Sequence, residues 1–393
     1  MPRSWLVRAW FFLRRQMSRS SKRQQGPAPP PPRGDQLGIG TAIFLGAGAS
    51  KAEGAPLQGE LFREYFSSPS FKASHNDMDR ELATFFLLMF GIDVDRADLA
   101  KVDFPTFEEV LGLTDLAILR KEAFRDFDIE NRAVNSGRLR FIAQYLVFLV
   151  AKVLDAKLRG PASIHRKLVR ALHAAGMLRQ VAFVSMNYDI LIDNALTEPY
   201  DEGVDLDYGV EFRNFERPGD WKRPELPKRV CLFKPHGSLN WLFCPTCNEL
   251  ELTPNEKGVV TKLISDFTKA TCSECGSVYL PLIVPPTFYK DLNNVFLSSV
   301  WNRTDKALRR VRHIVFCGYS FPDADMHIKY LVKRAQINGA LRPRVTIVNH
   351  FSGKTANACR EEEYRYKRFL GSHVNYTSLS FEEFADNPIA TLH

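Results

Sequence analysis

The chain has 393 residues, 45% hydrophobic and 25% charged, a balance that excludes a disordered or fibrous protein and can supply the core of one large domain or two. No apolar run approaches the roughly 20 residues that a membrane-spanning helix needs. The net charge of +8 is local: residues 1–34 hold eight Arg and Lys and no acid, leaving 45 basic and 45 acidic residues beyond them, so the folded part carries no global field that would signal nucleic acid.

Residues 1–37 form a basic leader that ends in a proline run from Pro27 to Pro32 and cannot build a packed element. Trp5, Leu6, Trp10, Phe11 and Leu13 give it an apolar side. Three readings stay open: a targeting or membrane-surface segment, an unstructured tail, or an upstream stretch with Met17 as the true start. Thiol chemistry points to a reducing, cytoplasmic setting, since four of the seven cysteines form two matched pairs. Cys231, Cys317 and Cys359 are expected to be packing residues.

From Gly38 onward the pattern becomes that of a fold. The apolar run from Thr41 to Leu45 stops in Gly46-Ala47-Gly48-Ala49-Ser50, a strand entering a glycine turn. Small residues there let the backbone approach a phosphate, and the next helix aims its N–H groups at an anion; a tight turn without a ligand has the same pattern. Residues 61–172 are helical in period, with Leu82, Phe85, Phe86, Met89 and then Leu139, Ile142, Tyr145, Leu146, Leu149 at three- and four-residue steps. This predicts a helical insertion, with Thr106 capping one of its helices.

Strand signals return at Val181 to Met186, Val230 to Phe233, His313 to Phe316 and Val345 to Val348, with helical patterns before and after the third. Short apolar runs separated by helices predict an α/β fold, a Rossmann-like doubly wound parallel sheet. Ligands bind such sheets beyond the carboxyl ends of the strands. The segments at those ends are GAGAS, MNYDIL, KPHGSLNW, CGYSFPDAD and VNH. Between the third and fourth lie Cys244/Cys247 and Cys272/Cys275, two Cys-x-x-Cys pairs separated by 24 residues, a spacing suited to one four-thiolate zinc ion in a small module at about 243–280. Four thiolates saturate zinc, so this Zn2+ is expected to be structural. Asp323 and Asp325 stand where a helix begins, and capping is expected of them.

These five segments, in this order and with the zinc module in this place, resemble the sirtuin family of NAD-consuming enzymes over about residues 40–350. The resemblance implies that Gly46, Ala47, Gly48, Ser50 and Pro56 belong to the first NAD-binding loop, Asn187 and Asp189 to the Gln-Asn-x-Asp segment, and His236 to the catalytic His-Gly motif. It also makes Gly318, Tyr319 and Ser320 the nucleotide-holding loop and Asn349 the adenosine-ribose asparagine. Cleavage of the nicotinamide–ribose bond builds positive charge on the ribose. His236 is then the expected general base, and Asn187 the residue that orients the ribose or a water. Asp189 either contacts the ligand or caps the helix that begins near Ile190.

The departures from the deacylases matter as much. The Asp-Phe-Arg that follows their first loop is absent here, and their peptide-pairing segment is replaced by Val284-Pro285-Pro286-Thr287-Phe288, whose prolines remove donors that strand addition needs. The resemblance is therefore to the divergent bacterial sirtuin-like NAD hydrolases associated with antiphage defence. It implies an NAD glycohydrolase with NAD as substrate; because a free NAD hydrolase would be toxic, low basal activity with a homo-oligomer or a partner-protein activator is expected. A protein-lysine deacylase, an ADP-ribosyltransferase and a non-catalytic NAD or ADP-ribose sensor are the alternatives. Residues 38–350 are expected to form the catalytic domain, and 351–393 a C-terminal extension packed on it through Phe381 to Phe384.

Overall fold

The computed structural model describes residues 38–73, 76–128, 137–158, 160, 163–198, 203–213, 222–253, 271–284, 294–349 and 355–392, all within one unit, Gly38–His393. The leader, Pro285, Pro286 and most of the loop between the cysteine pairs lie outside the described residues. Ten strands are present among the described residues: β1 (Thr41–Leu45), β2 (Val181–Ser185), β3 (Asp205–Asp207), β4 (Arg229–Phe233), β5 (Gly237–Cys244), β6 (Glu249–Leu252), β7 (Leu280–Ile283), β8 (His313–Cys317), β9 (Arg344–Val348) and β10 (Val374–Thr377). Seven of them form one sheet in the order β10-β9-β8-β1-β2-β4-β3, and every pairing in it is parallel.

Every residue of β1, β2 and β8 is buried, as a sheet with helices on both faces requires, and this is why these runs are continuously apolar. Burying a side chain such as Ile43 or Phe44 contributes about 1.5–3 kcal/mol. The register is flush: Leu45 lies opposite both Ser185 and Cys317, Cys317 opposite Val348 and Val184 opposite Phe233. The five segments singled out in the sequence therefore leave the sheet at one edge. β1 sits between β2 and β8, so the chain's crossing from one flank to the other opens at Gly46, the switch point at which such sheets take a ligand.

The helices Leu61–Ser67, Asp77–Phe90, Phe107–Arg120 and Arg138–Lys157 enclose a second core. Phe62, Phe66, Phe86 and Phe104 pack at its centre, with ring centroids 4.7 Å (Phe62–Phe86) to 6.5 Å (Phe62–Phe104) apart. Thr106 caps its helix as expected: its hydroxyl accepts from the Glu109 N–H at 3.2 Å while the Glu109 carboxylate accepts from the Thr106 N–H at 2.7 Å. Leu242, Cys244, Cys272 and Tyr279 belong to this same core. Strands β6, β5 and β7 form a separate antiparallel sheet that carries the cysteines.

Two boundaries differ from the sequence expectation. The helix Ser163–Ala174 packs on the helices Leu191–Leu196 and Phe381–Asp386; it is the crossover back to β2, and the helical module ends near Lys157 rather than at residue 172. The region after 350 is more than an extension, because β10 completes the main sheet beside β9. Phe381 and Phe384 do dock as expected: both are buried, with the Phe381 ring 4.9 Å from that of His165.

Candidate active site

Gly46 and Gly48 are required by a close approach, and the partner is the neighbouring loop. A Cβ at Gly46 would lie 2.6 Å from the Gly318 carbonyl oxygen, one at Gly48 would lie 2.8 Å from the Gly318 Cα, and one at Gly318, whose φ is +60°, would lie 2.3 Å from the Ala49 nitrogen. The Gly48 N–H donates to the Gly318 carbonyl at 2.7 Å and the Gly46 N–H to that of Cys317 at 2.9 Å. The loop after β1 and the loop after β8 are thus interlocked. Ala47 and Ser50 lie on the short helix Ala47–Lys51, and Pro56 lies just beyond it.

The Asn187 amide N–H groups donate to the Gly46 carbonyl at 2.8 Å and to Ser50 Oγ at 2.7 Å. Its side-chain oxygen makes no hydrogen bond to the described residues. Asp189 is held within the protein: one oxygen accepts from Ser50 Oγ at 2.6 Å and the other from the Leu191 N–H at 3.1 Å, beside the start of the helix Leu191–Leu196. Lys234, fully buried, donates to the Asp189 carbonyl at 2.6 Å and pairs with Asp193 at 3.0 Å. This ion pair ties the His-Gly segment to the Asn-x-Asp segment.

His236 is 4% exposed. Its Nδ1 lies 3.3 Å from the Met186 carbonyl oxygen and its Nε2 lies 2.7 Å from Nε2 of His327. An Asp325 oxygen stands 3.9 Å from the same His236 nitrogen, and the other accepts from the Tyr319 hydroxyl at 2.7 Å. Burial first, and the Asp325 charge second, hold the Tyr319 hydroxyl well above its ordinary pKa, so Tyr319 remains a donor. Gly237 follows at φ +77°, where a Cβ would meet the Leu282 carbonyl oxygen at 2.0 Å. The Trp301 indole N–H donates to the Pro235 carbonyl at 3.1 Å, and its ring lies 5.0 Å from that of His327.

Asp325 corrects one expectation, since its side chain makes no cap bond to the helix Met326–Asn338 and faces His236 instead. His327, Asp325, Lys234 and Trp301 were not identified as site residues from the sequence. Ser320 sits exposed on the loop after β8, its carbonyl accepting from Arg365 at 3.3 Å. Asn349 is buried and its amide donates to Glu362, which also accepts from the Tyr376 hydroxyl at 2.6 Å. A ligand at Asn349 would have to meet an amide already bonded to Glu362.

The four cysteine sulfurs converge. Their Sγ atoms lie within 4.8 Å of one another, with Cys244 and Cys275 3.5 Å apart and Cys247 and Cys272 3.9 Å apart. Tetrahedral zinc with bonds of about 2.3 Å needs sulfurs roughly 3.8 Å apart, so this set could hold zinc. The Arg213 guanidinium donates to Cys272 Sγ at 3.4 Å and pairs with Glu251 at 3.0 Å, the outer support that thiolate sites use.

A family model described as a SIR2-like domain matches residues 181–369. No curated protein is significantly similar to the chain in sequence. Among solved structures, a sirtuin from work on substrate affinity is 14% identical over 90% of this chain and 93% of its own, with a TM-score of 0.39. Sir2Tm bound to a propionylated peptide is 15% identical over 90% and 92%, TM-score 0.38. A mutant Sir2 homologue in complex with ADP-ribose is 14% identical over 90% and 91%, TM-score 0.38.

Proposed function

We propose that this chain, matched over residues 181–369 by a family model described as a SIR2-like domain, is an NAD glycohydrolase, releasing nicotinamide and ADP-ribose. In this reading the nucleotide lies across the carboxyl ends of β1 and β8, over the interlocked loops at Gly46–Ser50 and Gly318–Ser320. The Asn187 carbonyl oxygen orients the attacking water or a ribose hydroxyl, and His236 takes the proton. Water accepts the ribosyl carbon as the bond to nicotinamide breaks.

One observation carries hydrolysis over deacylation. The stretch after β7, where deacylases pair with a peptide backbone, begins at Val284, and both backbone groups of Val284 are already used: its N–H donates to the His236 carbonyl at 2.8 Å and its carbonyl accepts from the Tyr188 hydroxyl at 2.6 Å. Burial, followed by the charges of Asp325 and Glu108, holds the Tyr188 hydroxyl protonated, well above its ordinary pKa. A peptide strand would find no free backbone N–H at this residue and a carbonyl already engaged by a hydroxyl.

Purified protein incubated with NAD, with and without an acetylated peptide, tests the proposal by release of nicotinamide. Release independent of peptide is the expected result. Release that requires the peptide would overturn it in favour of a deacylase, and binding of NAD without release would favour a sensor. Control of this hydrolase by self-assembly or a partner protein, and a role in antiphage defence, belong to the same proposal; nicotinamide release measured against protein concentration tests the first.

A further inference from the structure

The geometry points to His327 as a latch on the general base, a side chain that must be exchanged for a substrate hydroxyl before His236 can act. The inference rests on the hydrolase reading for the role of His236 as general base and for the identity of that hydroxyl. A carbonyl oxygen can only accept, so the 3.3 Å contact with Met186 puts the hydrogen of neutral His236 on Nδ1 and leaves Nε2 as the acceptor. The donor across the 2.7 Å contact is then the His327 Nε2–H. A neutral imidazole nitrogen has one in-plane lone pair. While His327 donates to it, that lone pair cannot take a ribose proton.

Were His236 to gain a proton at Nε2 with His327 in place, two N–H groups would face each other at 2.7 Å. The two histidines can therefore hold one proton between their Nε2 atoms and not two. Substrate entry has to displace His327, and the surroundings allow this to happen in an orderly way. His327 is only partly buried, and its ring rests against Trp301, 5.0 Å away. Asp325 stands 3.9 Å from the shared contact and can keep an arriving positive charge on His236 company once the latch has left. His327 is thus a positioning residue: in the resting state it fixes the tautomer and orientation of the base and keeps its lone pair from water.

A metal ion bridging His236, Asp325 and His327 explains the distances less well. Nitrogen and oxygen ligands about 2.0–2.1 Å from tetrahedral zinc would be separated by roughly 3.3–3.4 Å, whereas the two separations here are 2.7 Å and 3.9 Å. A close pair with a carboxylate standing off suits a proton.

Displacing one hydrogen bond from the reacting nitrogen lowers apparent affinity by the fraction of molecules that are latched. His327→Phe keeps the ring against Trp301 and removes the donor, so KM for NAD is expected to fall about three- to tenfold, with a smaller change in kcat. His327→Asn, which can still donate but with a shorter reach, should fall between this variant and wild type. A hundredfold loss of kcat at unchanged KM would make His327 a catalytic residue and overturn the latch, as would an unchanged KM in both variants.

The wild-type protein decides the question without any variant. With one equivalent of zinc present, histidine ring 15N resonances are followed as ADP-ribose is added; the His236 Nε2 and His327 Nε2–H signals are expected to shift together as the ligand binds. Binding that leaves both unchanged overturns the inference, and so does a second equivalent of zinc that binds at these rings. If wild type releases no nicotinamide yet ADP-ribose still shifts both rings, the hydrolase reading falls and the exchange stands.

Discussion

The cysteine quartet and the histidine pair are both clusters of ligand atoms gathered within 4.8 Å, yet they are built for different guests. Two of the sulfur separations, 3.5 Å and 3.9 Å, lie near the roughly 3.8 Å that four thiolates around one zinc ion would need. The imidazoles press together at 2.7 Å while the carboxylate waits at 3.9 Å. Cys244 and Cys272 are also part of the helical core, so their ion would hold up a fold. His236 is fastened by backbone and by Lys234, two residues away, so its neighbours can change partners while the sheet stays as it is.

The largest expected effect separates the two clusters directly. His236→Ala should cut nicotinamide release about 10²- to 10⁴-fold while zinc content and thermal midpoint stay near wild type; a parallel loss of zinc would break the comparison. Lys234→Met leaves Asp193 buried without its partner and should cost about 3–5 kcal/mol in denaturant unfolding, again with the zinc stoichiometry retained. An unchanged midpoint would mean that the His-Gly segment is anchored elsewhere.

On the other side, Arg213→Ala should weaken zinc binding about 10- to 100-fold, as read by competition with a chelating dye, with nicotinamide release unaltered at saturating zinc. The smallest effect lies at Glu53, outside both clusters. Glu53 accepts from the N–H groups of Ser163, Ile164 and His165 at 2.7–3.1 Å, at the start of a helix whose dipole favours an anion there. Burial opposes its charge, but the His165 side chain and these N–H groups outweigh burial and hold its pKa below the ordinary 4.5. A depressed carboxylate stabilises fully above its unfolded pKa and loses that contribution as pH falls through the folded one. Glu53→Gln should therefore cost about 1–2 kcal/mol at pH 7 and progressively less below pH 4.5; a cost that does not shrink in acid would assign the effect to packing instead.

Much of this was legible in the sequence because burial on both faces writes a strand as an unbroken apolar run. β1, β2, β4, β8 and β9 could be placed within a residue or so for that reason. β3, with two aspartates in three residues, and β10, with two polar positions in four, are edge strands defined by what they pair with, and local composition is silent on pairing. The cysteines announced themselves because both members of each pair sit on one turn. His327 did not, since it comes to His236 from a helix 91 residues further along the chain. Asp325 looked like a cap because it stands where caps stand, and only the Tyr319 hydroxyl and the facing imidazole show where its charge is used.

The interlock of Gly46, Gly48 and Gly318 also bears on how this protein can change over generations. A methyl group at any one of the three runs into backbone on the opposite loop, and backbone cannot be trimmed by a second substitution. The usual route of drift, a small clash relieved by a smaller neighbour, is closed here. Either loop can be remodelled only if the other is rebuilt with it, so variation in this lineage should accumulate in the helical module and along the sheet edges and leave this pair of turns inherited as one piece.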